Sequence, residues 1–346
     1  PGVLFPVIRS WRKWRLRVDL AQENNRFWVV TAVVCLGVAA LYSVSQGAVA
    51  IPFSEVFSSA SSESHPMHRV VWDVRIPRLL CGAAVGADLA VAGALLQTMV
   101  RNPLADPGIL GVTAGAGLAA LVAIIFFPGS SSWVPWAAFV GGLTTIGVIL
   151  GLAWTGGRTA GPLRIVLSGV ALQAVLFAGI ALLSFAFADR APSFTAFMVG
   201  SLNGLGWGDV HRLIIPTVLG IGLAFIGIRQ LNLLLLDDET AGGLGLAVKR
   251  ARFGASCVSA LLAAGAVSAA GLVGFVGLVV PNGVRLLVGP DHRLLLPVVA
   301  ISGAALVLVA DTVTRTIVAP IELPVGALMA LIGGPYFLFI LWRKIA

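Results

Sequence analysis

Ten apolar stretches, each about twenty residues long, follow one another between Phe27 and Trp342 with only short polar breaks between them. That pattern leaves few folds open. About twenty apolar residues is the length at which an α-helix crosses bilayer hydrocarbon, and in lipid each backbone N–H and C=O must find its partner inside the protein. Composition agrees: 58% of the 346 residues are hydrophobic and 11% charged, with mean hydropathy +0.98, whereas soluble domains carry about 25% charged residues. We expect an all-α integral membrane domain over residues 27–346, led by a basic cytoplasmic or interfacial segment at 1–26.

The spans are placed at Phe27–Gln46, Arg78–Val100, Ile109–Phe127, Trp133–Trp154, Pro162–Phe187, Arg212–Leu231, Ala251–Ala269, Leu272–Leu287, Leu294–Thr312 and Leu323–Trp342. The eighth is short and is expected to break at Pro281. An even number of spans puts both termini on one face. With the N-terminus cytoplasmic, 17 of the 23 Lys and Arg fall in inside segments and the other 6 outside, the asymmetry of the positive-inside rule. The lead Arg9-Ser10-Trp11-Arg12-Lys13-Trp14-Arg15 then reads as an anchor on the acidic inner leaflet. This distribution argues against nucleic acid as the partner of the +8 net charge. The chain begins at Pro1, so further N-terminal residues are expected before it.

Cys35, Cys81 and Cys257 lie within apolar runs without metal-type spacing, so no disulfide or zinc site is expected. Gly82, Gly86 and Ala90, and likewise Gly147 and Gly151, have the four-residue spacing that lets helices approach closely. Gly271, Gly274 and Gly277 suggest a phosphate loop, but none of Lys13, Lys249 or Lys344 stands where such a loop needs its lysine. His65-Pro66-Met67-His68 offers too few ligands for a convincing metal site. His211 and His292 stand at span ends, where solvated or capping roles suffice.

Four polar features remain. Arg101-Asn102-Pro103-Leu104-Ala105-Asp106-Pro107 is a turn between two apolar runs, its prolines enforcing a chain reversal. Asp237 to Gly245, with Lys249, Arg250 and Arg252 behind it, suits a short membrane-parallel helix with a negative first turn. In it Ala241 and Leu244 form an apolar pair fit to dock on a cytoplasmic partner. On the outer side, Arg75 and Arg78 open the second span and Asp311 to Arg315 close the ninth, where arginines could receive a partner's carboxylates. Asp88 sits at bilayer depth at a cost of at least ~2.5 kcal/mol. It is either a protonated or hydrogen-bonded acid between helices or, with Gln97, a contributor to a transport pathway.

Arg75-Ile-Pro-Arg78, Gly93 to Gln97, Arg101 to Pro107, Gly274-Phe-Val-Gly-Leu-Val-Val-Pro281, Asp291-His-Arg-Leu-Leu-Leu-Pro297 and Glu322-Leu-Pro-Val-Gly326 together resemble the permeases of type II ATP-binding-cassette importers, the FecCD family. These carry ferric siderophores, haem or cobalamin. The resemblance implies ten spans per subunit, a second permease subunit, identical or paralogous, two ATPase subunits that hold ATP and Mg, and an external binding protein, all at a bacterial cytoplasmic membrane. It implies no catalytic residue, cofactor or metal site in this chain. Arg75, Arg78 and Arg315 match positions that meet glutamates of the binding protein. Asp238, Glu239, Thr240, Ala241, Leu244 and Gly245, within 237–249, match the coupling helix that seats in the ATPase. Asn102 and Leu104 match a cytoplasmic gate. Three departures from the family pattern stand out: Asn282 stands where histidine is common, Gly161-Pro162-Leu163 replaces small hydroxyl residues, and Asp88 replaces a small apolar one. Ferric siderophore is the expected cargo, with haem or cobalamin the alternative. An ion-driven carrier would need more intramembrane ionisable groups than Asp88, and an intramembrane hydrolase a nucleophile and base not found here.

Overall fold

The computed structural model describes residues 25–47, 51–61, 65–127, 131–154, 162–188, 194, 197–319 and 321–345. The lead at Arg9–Arg15, and Gly161, lie outside them. Helices α1 (Asn25–Ser45), α2 (Phe53–Ser61) and α3 (Ile76–Val100) are followed by α4 (Val112–Phe126), α5 (Val134–Trp154) and α6 (Pro162–Ala186). The second half holds α7 (Trp207–Ile226), α8 (Ile228–Leu234), α9 (Asp238–Gly243), α10 (Val248–Ala270), α11 (Val276–Val288), α12 (His292–Thr316) and α13 (Val325–Ile345). No strand occurs among the described residues.

Seven helices are long and apolar enough to cross a membrane, and three shorter apolar ones, Val112–Phe126, Val276–Val288 and Val325–Leu338, complete the set among the described residues. Each expected stretch meets one of these, with three local corrections. The second span begins earlier, at Val70, because a π-helical turn over Val70–Arg75 leads into α3 and places Pro77 near its start, where a missing N–H costs little. The sixth runs from Trp207 to Ile226, and Gly227 separates it from α8. The eighth is not broken at Pro281, which lies inside continuous α11.

α3 is the hub of the bundle: the span over Val70–Val100 is the most enclosed, and Leu167–Ala186 the most peripheral. It packs on α12, α10, α11 and α7. Close approach comes from small residues. A Cβ on Gly86 would lie 2.2 Å from the carbonyl oxygen of Gly303 on α12, and one on Gly93 2.0 Å from that of Gly277 on α11. Gly147 and Gly151, by contrast, have nothing within 4 Å, so the expected close helix approach is absent there within this chain. Ser259 on α10 donates to the Ala92 carbonyl at 3.0 Å, a polar tie of the kind that holds helices together where lipid offers no hydrophobic drive.

Candidate functional site

The C-terminal end of α3 is a knot of hydrogen bonds. α3 closes with Arg101 in left-handed geometry (φ 52°), with Asn102 N–H donating to Gln97 O at 3.1 Å and Arg101 N–H to Thr98 O at 3.3 Å. This is the arrangement usually given to glycine, so an arginine here bears a cost of ~1–2 kcal/mol. The turn continues through side chains. Asn102 Oδ1 accepts from Leu104 N–H at 3.0 Å, and Asp106 Oδ1 accepts from Gly108 N–H at 2.8 Å. Asn102 is exposed and Leu104 half-buried. The Asp106 carboxylate lies against Gly277, and desolvation, partly offset by the Gly108 bond, pushes its pKa up to about 6.

Two side chains fasten this turn to α11. Asn282 Nδ2 donates to Pro103 O at 2.7 Å and to Leu278 O at 2.8 Å. The Asn282 amide thus holds the turn directly. Pro281 has no N–H to give Gly277 O four residues earlier, and Gln97 Nε2 supplies the missing donor at 3.1 Å. Gln97 in turn accepts from Arg285 at 2.8 Å. The unbroken α11 follows from that repair. Gln97 is buried between helices of this subunit. Asp88 lies between helices as well. It is fully buried, its Oδ2 accepting from Thr217 on α7 at 2.7 Å, so the carboxyl joins two helices.

His292 is also fully buried, not solvated. One ring nitrogen lies 2.8 Å from the Thr98 hydroxyl and the other 2.8 Å from Asn232 Oδ1, tying α12 to α3 and α8. α9 begins at Asp237, whose carboxylate caps Thr240 N–H at 2.9 Å and accepts from its hydroxyl at 2.6 Å. Those bonds, with the charge of Arg101, hold the Asp237 carboxyl below its ordinary range. Asp238 turns back towards the bundle and pairs with Arg101 at 2.6 Å and Arg252 at 2.9 Å. Ala241 is fully buried, whereas Leu244 is 57% exposed. The two do not form one apolar face. Asp238 and Ala241, three apart, face inward, while Glu239, Thr240, Leu244 and Gly245 are exposed.

At the opposite end of α3, Arg75, Arg78 and Arg315 come together, but not as surface groups: they are 7%, 8% and 6% exposed. Arg78 grips Asp311 through Nε and Nη2, the latter at 2.8 Å, and Glu322 through Nη1 at 2.9 Å. Arg315 pairs with Asp311 at 3.0 Å and donates to Ser43 O and Gln46 O, each at 3.1 Å. Arg75 donates to Ser45 O at 3.1 Å and to Val44 O. α1 ends here, and its last carbonyls have no partners within the helix. Arg75 and Arg315 supply donors to them and complement the negative helix end. Freely presented arginines, the reading from sequence, are therefore replaced by a charge cluster of three buried guanidinium groups and the buried Asp311 carboxylate, with Glu322 at its accessible edge.

His65 and His68 are engaged locally: His65 Nδ1 accepts from Met67 N–H at 3.2 Å, and His68 lies 2.8 Å from Ser59 O. Among the described residues, no group of three or more His, Cys, Asp or Glu could hold a metal.

A model of the FecCD transport family matches residues 35–343. The chain belongs to the FecCD transport family. It is 39% identical over 325 residues to the hemin transport system permease protein HmuU of Yersinia pestis, covering 90% of this chain and 94% of that one. To the cobalamin import system permease protein BtuC of Halobacterium salinarum it is 41% identical over 272 residues, covering 79% and 73%. Its fold is similar, with TM-score 0.81 and 29% identity over 91% of this chain and 98% of the other, to a structure described as an inward-facing metal-chelate type ABC transporter. The chain is accordingly a multi-pass permease of a metal-chelate type ABC importer, a subunit class that is not itself an enzyme and that implies ATPase and substrate-binding partners.

Proposed function

We propose that this chain forms half of the pathway of an importer for a ferric siderophore, in a bacterial cytoplasmic membrane with both termini inside. The iron chelates named for several FecCD relatives support that cargo, and the charge distribution supports the orientation. The pathway is completed by a second permease subunit, identical or paralogous. Two ATPase subunits seat beneath, bind ATP and Mg, and receive the outward face of α9 through Glu239, Thr240, Leu244 and Gly245. The observation that carries this reading is α3 itself. One helix joins the buried arginine cluster at the outer end to the Arg101–Pro107 turn at the inner end.

The outer cluster suggests how a binding protein docks. Glu322, at 32% side-chain exposure, is the accessible carboxylate on Arg78, whereas Asp311 is 2% exposed. A glutamate of the binding protein takes Glu322's place at Arg78, while Arg75 and Arg315 keep the rim of α1 in position. At the inner end Asn102 and Leu104 close the pathway, with Asn102 shaping the turn that presents Leu104. Cargo is assigned by presenting the loaded binding protein with a ferric siderophore, haem or a corrinoid and measuring retention. Retention of the ferric siderophore is the expected result; tight retention of haem or cobalamin instead would move the assignment to that class.

A further inference from the structure

The acidic start of α9 has two faces, and the one that carries Asp238 points at the permease's own arginines. Arg101 Nη2 and Arg252 Nη2 converge on the same oxygen, Asp238 Oδ1, at 2.6 and 2.9 Å. These arginines come from different places: Arg101 from the turn that follows α3, Arg252 from the second turn of α10. Arg101 also donates through Nε to Leu234 O at 3.0 Å, so it holds the end of α8 as well as the start of α9.

An exposed ion pair contributes little stability, about 0–1 kcal/mol. Arg252 is not exposed, however. Its side chain is 8% accessible and its Nε has no hydrogen-bond partner, so moving Asp238 away would leave a buried cation without its carboxylate. Arg101 is held in left-handed backbone geometry on the other side of the same oxygen. Displacing α9 therefore pulls on the turn through Asp238, and the turn is fixed in its own right to α11 by Asn282.

We propose that Asp238 is the pivot through which movement of α9 reaches the Arg101–Pro107 turn, a positioning role in transport distinct from contact with the ATPase. This rests on the importer reading above. The inner face of α9, Asp238 and Ala241, belongs to the permease; its outer face is left for the ATPase.

The test uses the full permease with its ATPase and loaded binding protein in proteoliposomes, measuring ATPase co-purification, ATP hydrolysis and cargo moved per ATP. Asp238→Asn should leave the ATPase bound and hydrolysing while cargo per ATP falls at least about three-fold, within the coupling usual for contacting residues. Arg101→Asn, at a position where asparagine tolerates the left-handed backbone, lies outside α9 and should give the same uncoupling. The double variant should be no worse than either single change. Unchanged cargo per ATP in both single variants would overturn the pivot, as would additive losses. Loss of ATPase binding in Asp238→Asn would make Asp238 a docking contact and also overturn it. Failure of the unaltered permease to bind an ATPase would instead overturn the importer reading.

Discussion

Gln97 is the residue that lets a proline remain inside a buried helix. Without its amide, the Gly277 carbonyl left free by Pro281 would face apolar surroundings unpaired, as would one donor of Arg285. Gln97→Leu should lower stability by ~1–3 kcal/mol, read as a drop in melting temperature of the detergent-purified protein. Pro281→Ala in that background returns a backbone donor to Gly277 and should recover part of the loss; no recovery would separate Gln97 from the proline. Asp106 gives a pH signature. Its pKa is raised from 3.8 to about 6 in the folded turn, so the folded state binds a proton more tightly than the unfolded one. Between those values stability falls as pH rises, and above about 6 the contribution is gone. Melting temperature should therefore rise on going from pH 7 to pH 5, by an amount equivalent to at most ~1.4 kcal/mol, since only about one pH unit of that step lies below the folded pKa. Asp106→Asn, which keeps the acceptor for Gly108, should flatten that dependence. These partners were not legible in the sequence, because the distance from Gln97 to Gly277 or from Asp238 to Arg101 along the chain carries no information about contact. What could be read was the anomaly: a polar residue in an apolar span calls for a partner, and Asp88 finds one in Thr217 for Oδ2, while its Oδ1 is buried without a hydrogen bond.

At the scale of helices, the sequence was most legible where length and apolar periodicity decide the outcome, and least where one proline decides it. Pro281 looked like a break because the rule concerns a lone helix, whereas the structure repairs the gap from a neighbouring span. Glycine spacing was equally ambiguous. Gly86 and Gly147 carry the same signal, yet only Gly86 meets a neighbouring backbone. Gly86→Val should therefore separate α3 from α12 and lower the melting temperature markedly. Gly147→Ala should leave it unchanged or raise stability by up to ~1 kcal/mol from helix propensity alone. Equal effects at the two positions would contradict the packing described here. The arginines at the outer end were recognised as a group but misread as surface groups, since sequence shows charge and not the orphan carbonyls of α1 that need donors.

For the whole molecule, α3 runs from a charge cluster at its N-terminal end to a hydrogen-bonded turn at its C-terminal end, and the short α9 is tied to that turn. Closure at the inner end should depend on the side chain that the turn presents. Leu104→Ala should make resting vesicles leak a chelate-sized solute while ATPase binding persists, and vesicles that stay tight would remove Leu104 from the gate. The central claim, that this permease moves cargo by coupling to an ATPase, is tested most directly by uptake into proteoliposomes containing the chain, its ATPase and the loaded binding protein. Uptake should appear only with ATP, cease when the ATPase is omitted, and ignore proton or sodium gradients; uptake driven by an ion gradient without the ATPase would contradict the account.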